Sequence, residues 1–359
     1  MLVRRLELVD FRNYEVAEVE LARGFTAVTG ANGEGKTNLV EAVAYLATLE
    51  SFRGAAPAAL VRDGCERAVV RGEVEQDDGR LVAVECELGL TGRSRVQVNK
   101  QRLQRTSDLL GVLRVSVFSP DDLALVKDAP GVRRRFLDDT LVALHPRHDR
   151  LRREVERVLR QKAALLKQSG GRLGEDTTFT LDVWDARLAE AGDAIGQARG
   201  ELVDALAPEV ARAYDDLASR PSDVTLGYEP AWRAAGLAEA LRVARADEVR
   251  RQVCLVGPHR DELQLTVGGL PARTHASQGE QRTLALALRL GAHRLIAERT
   301  RTTPVLLLDD VFSELDEQRG AALLTHLPVG QIVLTTAGPL PPGADVERIL
   351  RVERGTVCA

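Results

Sequence analysis

One short segment constrains the fold more than any other: residues 30–37 read GANGEGKT, between an apolar stretch and a helical pattern. The segment holds three glycines and Lys36, one of only five lysines in the chain. Its spacing, G-x-x-x-x-G-K-[ST], is the P-loop pattern, in which bare backbone wraps N–H groups around a phosphate chain. The positive end of the following helix points at the same position. The segment therefore predicts a nucleotide site, with an ordinary glycine-rich turn as the alternative.

The P-loop residues have separate predicted roles. Lys36 would reach the β- and γ-phosphates of ATP and act in catalysis, and the Thr37 hydroxyl would bind Mg²⁺. A nucleotide and Mg²⁺ are therefore expected, and the ABC-type motif order described below identifies the nucleotide as ATP. The predicted nucleotide ligands in this segment are Gly30, Ala31, Asn32, Gly33, Glu34, Gly35, Lys36 and Thr37.

Composition limits the class of protein. The 359 residues are enough for two domains, and 44% apolar with 28% charged residues is typical of a globular protein. No apolar run approaches the ~18 residues of a membrane span, and the N-terminus lacks the pattern of a signal peptide. The four cysteines form no C-x-x-C pair, so neither a zinc site nor a disulfide framework is indicated. We expect a cytoplasmic protein with no membrane partner.

Charge is distributed unevenly although the net charge is only −4. Residues 127–167 hold 12 Lys or Arg against 6 Asp or Glu. Residues 171–250 hold 9 against 16. Such asymmetry indicates either a partner-binding face or two segments that pack on each other.

The periodicity changes twice along the chain. Residues 1–118 read as mixed α/β, with short alternating runs that predict antiparallel strands beside the P-loop unit. Residues 119–253 have helical spacing, including one long stripe with a kink expected at Pro208. The hydroxyl of Ser119 is expected to cap the helix that opens this region. Strand patterns return in 254–359, including one at 270–274. We therefore predict a nucleotide domain formed by 1–118 and 254–359, with an inserted α-helical arm at 119–253.

A second motif would complete the metal site. Residues 304–310, PVLLLDD, read as a buried parallel strand that ends in two acids. Asp309 would hold Mg²⁺ together with Thr37. Asp310 would position and deprotonate the attacking water, and so is the second predicted catalytic residue. A strand followed by a polar turn is the alternative.

Residues 277–281, SQGEQ, open the helix before that strand. Alone they predict only a well-capped helix. The order along the chain is that of ABC-type ATPases: P-loop, S-x-G-x-Q, four apolar residues with an acid, then Ser313-Glu314-Leu315-Asp316. In that class two protomers enclose two ATP molecules, so an ATP-dependent homodimer is expected. The predicted contacts to the other protomer's ATP are Ser277, Gln278, Gly279 and Glu280.

A transporter ATPase subunit is disfavoured among ABC proteins. Lys36 and Ser277 are 241 residues apart, which is far more than in transporter subunits. There is also no glutamine after the strand ending at Phe118 and no histidine after the strand ending at Thr335, where Thr336 is the candidate substitute. Rad50-like or chromosome-structure ATPases are a second alternative, but the insertion is too short for their coiled coil.

Over nearly its whole length the chain resembles the RecF family of DNA-repair ATPases, relatives of Rad50 and the SMC proteins. The resemblance rests on LVDFRNY (8–14), GANGEGKTNLVEAV (30–43), SFRG (51–54), FSPDDLALVKDAPGVRRRFLD (118–138), VGPHRDEL (256–263), SQGEQRTLALALRL (277–290) and LLLDDVFSELD (306–316). It implies an α/β fold: a split ABC-type P-loop ATPase domain similar to the Rad50 head, with an antiparallel β subdomain and the helical arm.

The resemblance also implies function. Proteins of this family bind DNA in an ATP-dependent manner at single-strand gaps and ss/ds junctions, and help RecO and RecR to load RecA. They are weak, DNA-dependent ATPases. Asp310 stands where most ABC ATPases have glutamate, and its shorter side chain agrees with slow turnover. Arg12 is either a nucleotide contact or a surface arginine beside a strand.

The basic run suggests where DNA binds. The predicted contacts are Arg133, Arg134, Arg135, Arg152, Arg153 and Arg157, with a solvated helix face as the alternative. Trp, Tyr and Phe total 13 and are scattered, so stacking on single-stranded bases is not indicated. We expect sequence-independent contacts to the backbone of duplex DNA.

Overall fold

The computed structural model describes residues 1–91, 94–172, 174–218 and 221–358. Its strands are β1 (Leu2–Phe11), β2 (Tyr14–Glu20), β3 (Phe25–Thr29), β4 (Arg67–Glu75), β5 (Leu81–Gly89), β6 (Arg95–Val98), β7 (Gln101–Arg102), β8 (Val115–Phe118), β9 (Val224–Gly227), β10 (Gln264–Val267), β11 (Leu270–Pro271), β12 (Val305–Asp309), β13 (Ile332–Thr336), β14 (Arg348–Glu353) and β15 (Thr356–Cys358). Its α-helices are α1 (Lys36–Thr48), α2 (Ala124–Lys127), α3 (Pro130–Leu144), α4 (Arg147–Gln168), α5 (Glu175–Ala218), α6 (Leu237–Arg251), α7 (Ala272–His275), α8 (Gln278–Thr300) and α9 (Glu317–His326). None of the described helices is long and apolar enough to cross a membrane.

The sheet that carries the nucleotide site has the strand order β15-β14-β3-β13-β12-β8. Strands β14, β3, β13, β12 and β8 pair in parallel, and β15 pairs antiparallel with β14. Every residue of β12 and β13 is buried, as expected for parallel strands covered on both faces. The predicted buried strand ending at Asp309 is therefore confirmed. Because the carboxyl ends of parallel strands lie at one edge of a sheet, the P-loop after β3 and the acids after β12 lie at the same edge.

A second sheet, β2-β1-β4-β5-β6-β7, is antiparallel throughout. Buried and exposed residues alternate along β4 and β5, because one face packs on the core. Helix α1 contributes Leu39, Val43 and Leu46 to that core. A Cβ on Gly72 of β4 would lie only 2.6 Å from Leu46 Cδ1, so the glycine lets the helix approach the sheet. The predicted antiparallel β subdomain is confirmed.

The middle of the chain is helical, as predicted. Helix α5 has 44 residues, a length of about 66 Å, and continues through Pro208. Val158 of α4, Leu188 of α5 and Leu241 of α6 belong to one apolar cluster. These helices therefore share a core.

Part of the charge asymmetry is neutralised among these helices. Lys162 of α4 is fully buried, with Nζ 2.7 Å from Asp185 Oδ1 of α5 and 2.6 Å from Glu248 Oε2 of α6. Arg199 of α5 forms a bidentate pair with Asp138 of α3, both bonds 2.8 Å long. The expectation that basic and acidic segments pack on each other therefore holds for these residues.

The chain divides into two compact units. The first comprises Met1–Asp122, Arg212–Pro221 and Arg282–Ala359, and the second Leu123–Ala211 and Ser222–Gln281. The expected division gave all of 254–359 to the nucleotide domain, whereas 254–281 cluster with the helical unit. These residues cluster with the helical unit because β10 pairs with β9, a strand that lies between α5 and α6 in the chain. The functional division into head and arm stays a prediction.

Two local predictions are corrected. The strand expected at 270–274 has only two residues, β11, because Pro271 has no N–H for a ladder, and α7 follows. At the turn before α2, the Ser119 N–H donates to Asp122 Oδ2 at 2.9 Å. The acid thus closes this turn, where a serine hydroxyl cap was expected.

Candidate nucleotide-binding site

The P-loop joins β3 to α1 through backbone that a side chain would obstruct. Gly30 has φ 153° and Gly35, the N-cap of α1, has φ 119°. A Cβ on Gly30 would lie 2.3 Å from the Val352 carbonyl oxygen, and one on Gly35 2.5 Å from Asn13 Nδ2. Both positions therefore require glycine.

The carbonyl groups of the loop are held by neighbouring donors. Lys36 Nζ donates to the Ala31 carbonyl at 2.7 Å, and the Tyr14 hydroxyl donates to the Gly35 carbonyl at 3.0 Å. The Glu34 carbonyl accepts from Asn13 Nδ2 at 2.7 Å and from the Gly355 N–H at 3.1 Å. The first N–H groups of α1 have no intrahelical acceptor by the geometry of a helix. The loop is thus built to offer N–H groups, which suits an anion.

The acids after β12 meet the P-loop threonine. Asp309 Oδ1 accepts from Thr37 Oγ1 at 2.8 Å and from Thr335 Oγ1 at 2.7 Å. Burial raises the pKa of Asp309, and these two hydrogen bonds oppose the rise. Burial lowers the pKa of Lys36, with Asp310 the strongest opposing carboxylate. Two oxygen ligands of the kind Mg²⁺ prefers, Thr37 and Asp309, are therefore already in contact.

Asp310 has an uncommon backbone and an unpartnered oxygen. Its φ is 49°, and its N–H donates to the carbonyl and hydroxyl oxygens of Thr335 at 3.2 and 3.0 Å. Its Oδ1 is buried and has no hydrogen-bond partner among the described residues. A buried carboxylate oxygen without a donor is costly in a folded protein. This atom therefore fits a site that receives a donor from a ligand, such as a metal-bound or attacking water.

A buried carboxylate organises the arginines next to α1. Glu41 of α1 is fully buried and accepts from Arg12 Nε and Nη2 at 2.8 and 2.9 Å. It also accepts from Ser51 Oγ. Arg53 Nη1 donates to Asn38 Oδ1 at 3.2 Å, and Arg53 acts to lower the pKa of Asp309. Arg12 is thus tied to the P-loop helix, and its contact with nucleotide stays a prediction.

Residues 277–280, predicted to contact the ATP of a second protomer, form a reciprocal cap at the start of α8. The Ser277 N–H donates to Glu280 Oε2 at 2.9 Å, and the Glu280 N–H donates to Ser277 Oγ at 3.3 Å. Ser277 and Gln278 are exposed, while Gly279 and Glu280 are half-buried. The predicted helix start is confirmed, and the contact with a second protomer stays a prediction.

Known proteins with this arrangement identify the family. The family described as RecF/RecN/SMC N terminal domain matches residues 2–335. A protein of Streptomyces avermitilis named DNA replication and repair protein RecF is 44% identical over 99% of this chain and 98% of the relative. The RecF protein of Kineococcus radiotolerans is also 44% identical, over 98% of this chain and 96% of its own. The chain belongs to the RecF family.

Solved structures agree with this assignment. The RecF–ATP complex described as a recombination mediator protein in the RecFOR pathway superposes with a TM-score of 0.91 at 28% identity, covering 99% of this chain and 96% of that one. An SMC head bound to the winged-helix domain of ScpA gives 0.60 at 18% identity over 99% and 96%, which supports the fold alone. The predicted fold class is confirmed, and the chain is an ABC-type DNA replication and repair ATPase of the RecF family. A transporter subunit is thereby set aside.

The arginines predicted to bind DNA differ in how far they are exposed to solvent. Arg133 is buried: Nε and Nη2 donate to Glu262 at 2.6 and 3.1 Å, and Nη1 to two carbonyl groups at 3.0 Å. The prediction of a DNA contact at Arg133 is therefore wrong, because its donors face the interior. Arg134 is half-buried and donates to the Asp261 carbonyl at 2.7 Å. Arg152 is half-buried and pairs with Asp139.

Arg135, Arg153 and Arg157 are exposed, and their contact with DNA stays a prediction. Thr336 was the expected substitute for the histidine that is missing after Thr335, but its hydroxyl bonds within the turn at Gly338. The neighbouring Thr335 is the residue that reaches both acids.

Asn13 and Arg53 were also missed as site residues. Both lie in blocks that carry the family resemblance, LVDFRNY and SFRG, so the sequence marked their segments without revealing what each side chain contacts.

Proposed function

We propose that this RecF-family chain binds Mg-ATP, dimerises, and clamps DNA at single-strand gaps or ss/ds junctions while hydrolysing ATP slowly. The observation that carries the proposal is the pairing of Thr37 with Asp309 beside a phosphate cradle, next to an unpartnered Asp310 oxygen. The P-loop alone supports nucleotide binding. The two acids add the means to hold a metal ion and to orient water.

ATP and Mg²⁺ would be held by the residues already in place. The N–H groups from Gly33 to Thr37 would bind the phosphates, and Lys36 would leave the Ala31 carbonyl to contact the β- and γ-phosphates. Thr37 and Asp309 would hold Mg²⁺, with Thr335 orienting the carboxylate. The ion, when bound, neutralises phosphate charge. Arg12 would support this site through Glu41 or by direct contact with the nucleotide.

Asp310 would position the attacking water and accept its proton. The Asp310 N–H donates to both the carbonyl and the hydroxyl oxygen of Thr335, which holds the backbone while the carboxylate can adjust. Aspartate reaches one methylene less far than the glutamate of most ABC ATPases. The proposal therefore includes slow turnover, raised by DNA when DNA stabilises the closed dimer.

Ser277, Gln278, Gly279 and Glu280 would complete the site of the second protomer. The Ser277 hydroxyl and the start of α8 are exposed, so both are available to a γ-phosphate from outside. The Ser277–Glu280 cap would hold the hydroxyl in place before that contact forms. Hydrolysis would then depend on dimer formation.

RecR and RecO are the proposed protein partners, with RecA loaded indirectly, in the cytoplasm. A solved relative is described as a recombination mediator in the RecFOR pathway, which supports this placement. Duplex DNA and gap junctions are the proposed nucleic-acid ligands, bound independently of sequence.

Light scattering with Mg-ATP or Mg-ADP tests the dimer. Wild type should dimerise with ATP, Lys36→Ala should neither bind ATP nor dimerise, and Ser277→Arg should bind ATP but stay monomeric. Val329→Arg, at an exposed position between α9 and β13, introduces the same side chain elsewhere and should dimerise with ATP like wild type. A wild-type protein that stays monomeric with ATP at micromolar concentration would contradict the proposal.

A further inference from the structure

The exposed side of α4 carries a row of cations. At about 100° per residue, Val155, Val158 and Leu166 share the buried face of this helix. Five cations fall within a band of about 100° on the opposite face. They are Arg150, Arg153, Arg157, Arg160 and Lys167, here named the α4 stripe, and all five are exposed.

The α4 stripe is weakly neutralised. Arg153 pairs with Asp149 at 2.8 Å and Arg157 with Glu154 at 2.7 Å, both within one turn of the helix. The Arg157–Glu154 pair is solvent-exposed and contributes little, so a stronger anion can replace that carboxylate. Asp149 is buried and also holds Arg152, so Arg153 is the more firmly paired of the two. The other three stripe residues form no ion pair within the described ranges. Among the acids of α4 itself, Glu156 is the exposed one, and it lies next to the band.

We propose that the α4 stripe binds the phosphate backbone of duplex DNA, an inference that rests on the proposed function. From Arg150 to Lys167 the stripe is about 26 Å long, a length over which duplex DNA presents about 15 phosphate charges. Four of the five cations are arginines, whose planar guanidinium matches phosphate geometry. Helix α4 contains no Trp, Tyr or Phe, so it offers no platform for stacking unpaired bases.

The stripe replaces part of the predicted DNA surface. Arg133 faces the interior and Arg152 is mostly covered, whereas Arg150, Arg160 and Lys167 project from the solvent face. A charge count along the sequence cannot separate these groups, because all lie within one basic segment. The angular position of each residue around its helix distinguishes the exposed cations from the buried ones.

A second copy of this chain is the competing occupant. Helix α5 presents exposed acidic residues, including Glu190, Asp193, Glu201 and Asp204, that could pair with the stripe. Duplex DNA is favoured because its charge density is higher and its counterion release adds to the affinity. Sedimentation of the stripe variant without ATP reports on self-association separately.

The test compares two triple variants of the full chain. Arg150→Gln/Arg160→Gln/Lys167→Gln removes three unpaired stripe cations. Arg242→Gln/Arg250→Gln/Arg251→Gln removes the same charge from exposed positions of α6. Binding to a fluorescent blunt duplex is measured with Mg-ATP over a range of salt concentrations. The slope of log affinity against log salt should fall by about 3 in the stripe variant, at ~0.9 per phosphate contact, and stay unchanged in the α6 variant.

A charge-preserving variant, Arg150→Lys/Arg160→Lys, should keep the wild-type slope. ATP-dependent dimerisation and helix content should be unchanged in all variants, which shows that they fold. An unchanged slope in the stripe variant, while wild type binds DNA, overturns the stripe and leaves the proposed function standing. So does an equal loss in the α6 variant, or dissociation of an ATP-independent oligomer without a change in slope. Wild-type protein that does not bind DNA overturns both.

Discussion

The nucleotide site and the α4 stripe use charge in opposite ways. In the nucleotide site Lys36 and Asp309 are each only 6% exposed, and burial shifts both pKa values against the charged form. Along the α4 stripe the charges are exposed and several are unpaired. Buried charges require exact partners, because an unmatched one costs several kcal/mol. Exposed charges are screened by salt and replaceable.

This difference predicts two kinds of behaviour. Substitutions in the nucleotide site should have large effects that depend on geometry and little on salt. Substitutions on the stripe should have smaller, additive effects that depend strongly on salt. Each experiment below either sharpens this contrast or removes it.

The largest effect is expected at Lys36. Lys36→Ala should abolish measurable ATP binding, a loss on the order of 10²-fold or more, because the phosphates lose their buried charge partner. Titration calorimetry with Mg-ATP measures the loss. Lys127→Ala, at the end of α2, should bind like wild type. Equal affinities in the two variants would remove Lys36 from the site.

Asp310 should matter for the reaction but not for binding. Asp310→Asn should keep ATP and Mg²⁺ affinity and prolong the dimer, while turnover falls by about 10²–10⁴-fold, the usual contribution of a general base. Single-turnover hydrolysis and dimer lifetime are the measurements. Asp63→Asn, at an exposed position before β4, is the matched control and should turn over ATP like wild type. Turnover that matches wild type would show that another group activates the water.

Arg133 and Arg135 test the contrast between buried and exposed charges at two nearby positions of one helix. Arg133→Ala should destabilise the protein by about 1–3 kcal/mol, because it leaves two carbonyl groups without their donor. Arg135→Ala should change stability by less than ~0.5 kcal/mol, since the side chain is exposed. Thermal unfolding compares the two. Similar stability of both variants would contradict the buried role of Arg133.

The smallest effect is expected at Thr335, which acts through its neighbours. Thr335→Val removes the hydroxyl that donates to Asp309 and accepts from the Asp310 N–H. The Mg²⁺ concentration for half-maximal turnover should rise by about 10–100-fold, as for other residues that orient metal ligands. Thr335→Ser should restore the wild-type value. A normal Mg²⁺ requirement in Thr335→Val would show that the acids are held without this hydroxyl.

The sequence predicted the strand, loop and helix of the candidate nucleotide site well because the P-loop is a backbone motif. Gly30 and Gly35 have φ values of 153° and 119°, which other residues rarely adopt, so their spacing reflects the local path of the backbone. The apolar run before Asp309 likewise indicated a strand buried on both faces. Both features are local properties of the chain, so the sequence indicates them without information about distant contacts.

The rest depends on contacts that spacing does not encode. Nothing near Arg133 in the sequence shows that Glu262, 129 residues away, forms its partner. Thr335 reaches the acids because β13 lies beside β12 in the sheet, a pairing between separate segments. The grouping of 254–281 with the helices also follows from a pairing, β9 with β10. Local backbone structure was thus predictable from the motifs, whereas side-chain contacts with distant partners were not.

The most direct test of the account is the affinity of wild-type protein for gapped duplex DNA with and without Mg-ATP. Fluorescence anisotropy should show much tighter binding with Mg-ATP than with Mg-ADP or no nucleotide, and the same DNA should raise the ATPase rate. Both results are expected if ATP closes a dimer around DNA. Equal DNA affinity with and without Mg-ATP, with no change in ATPase rate, would contradict the ATP-dependent clamp.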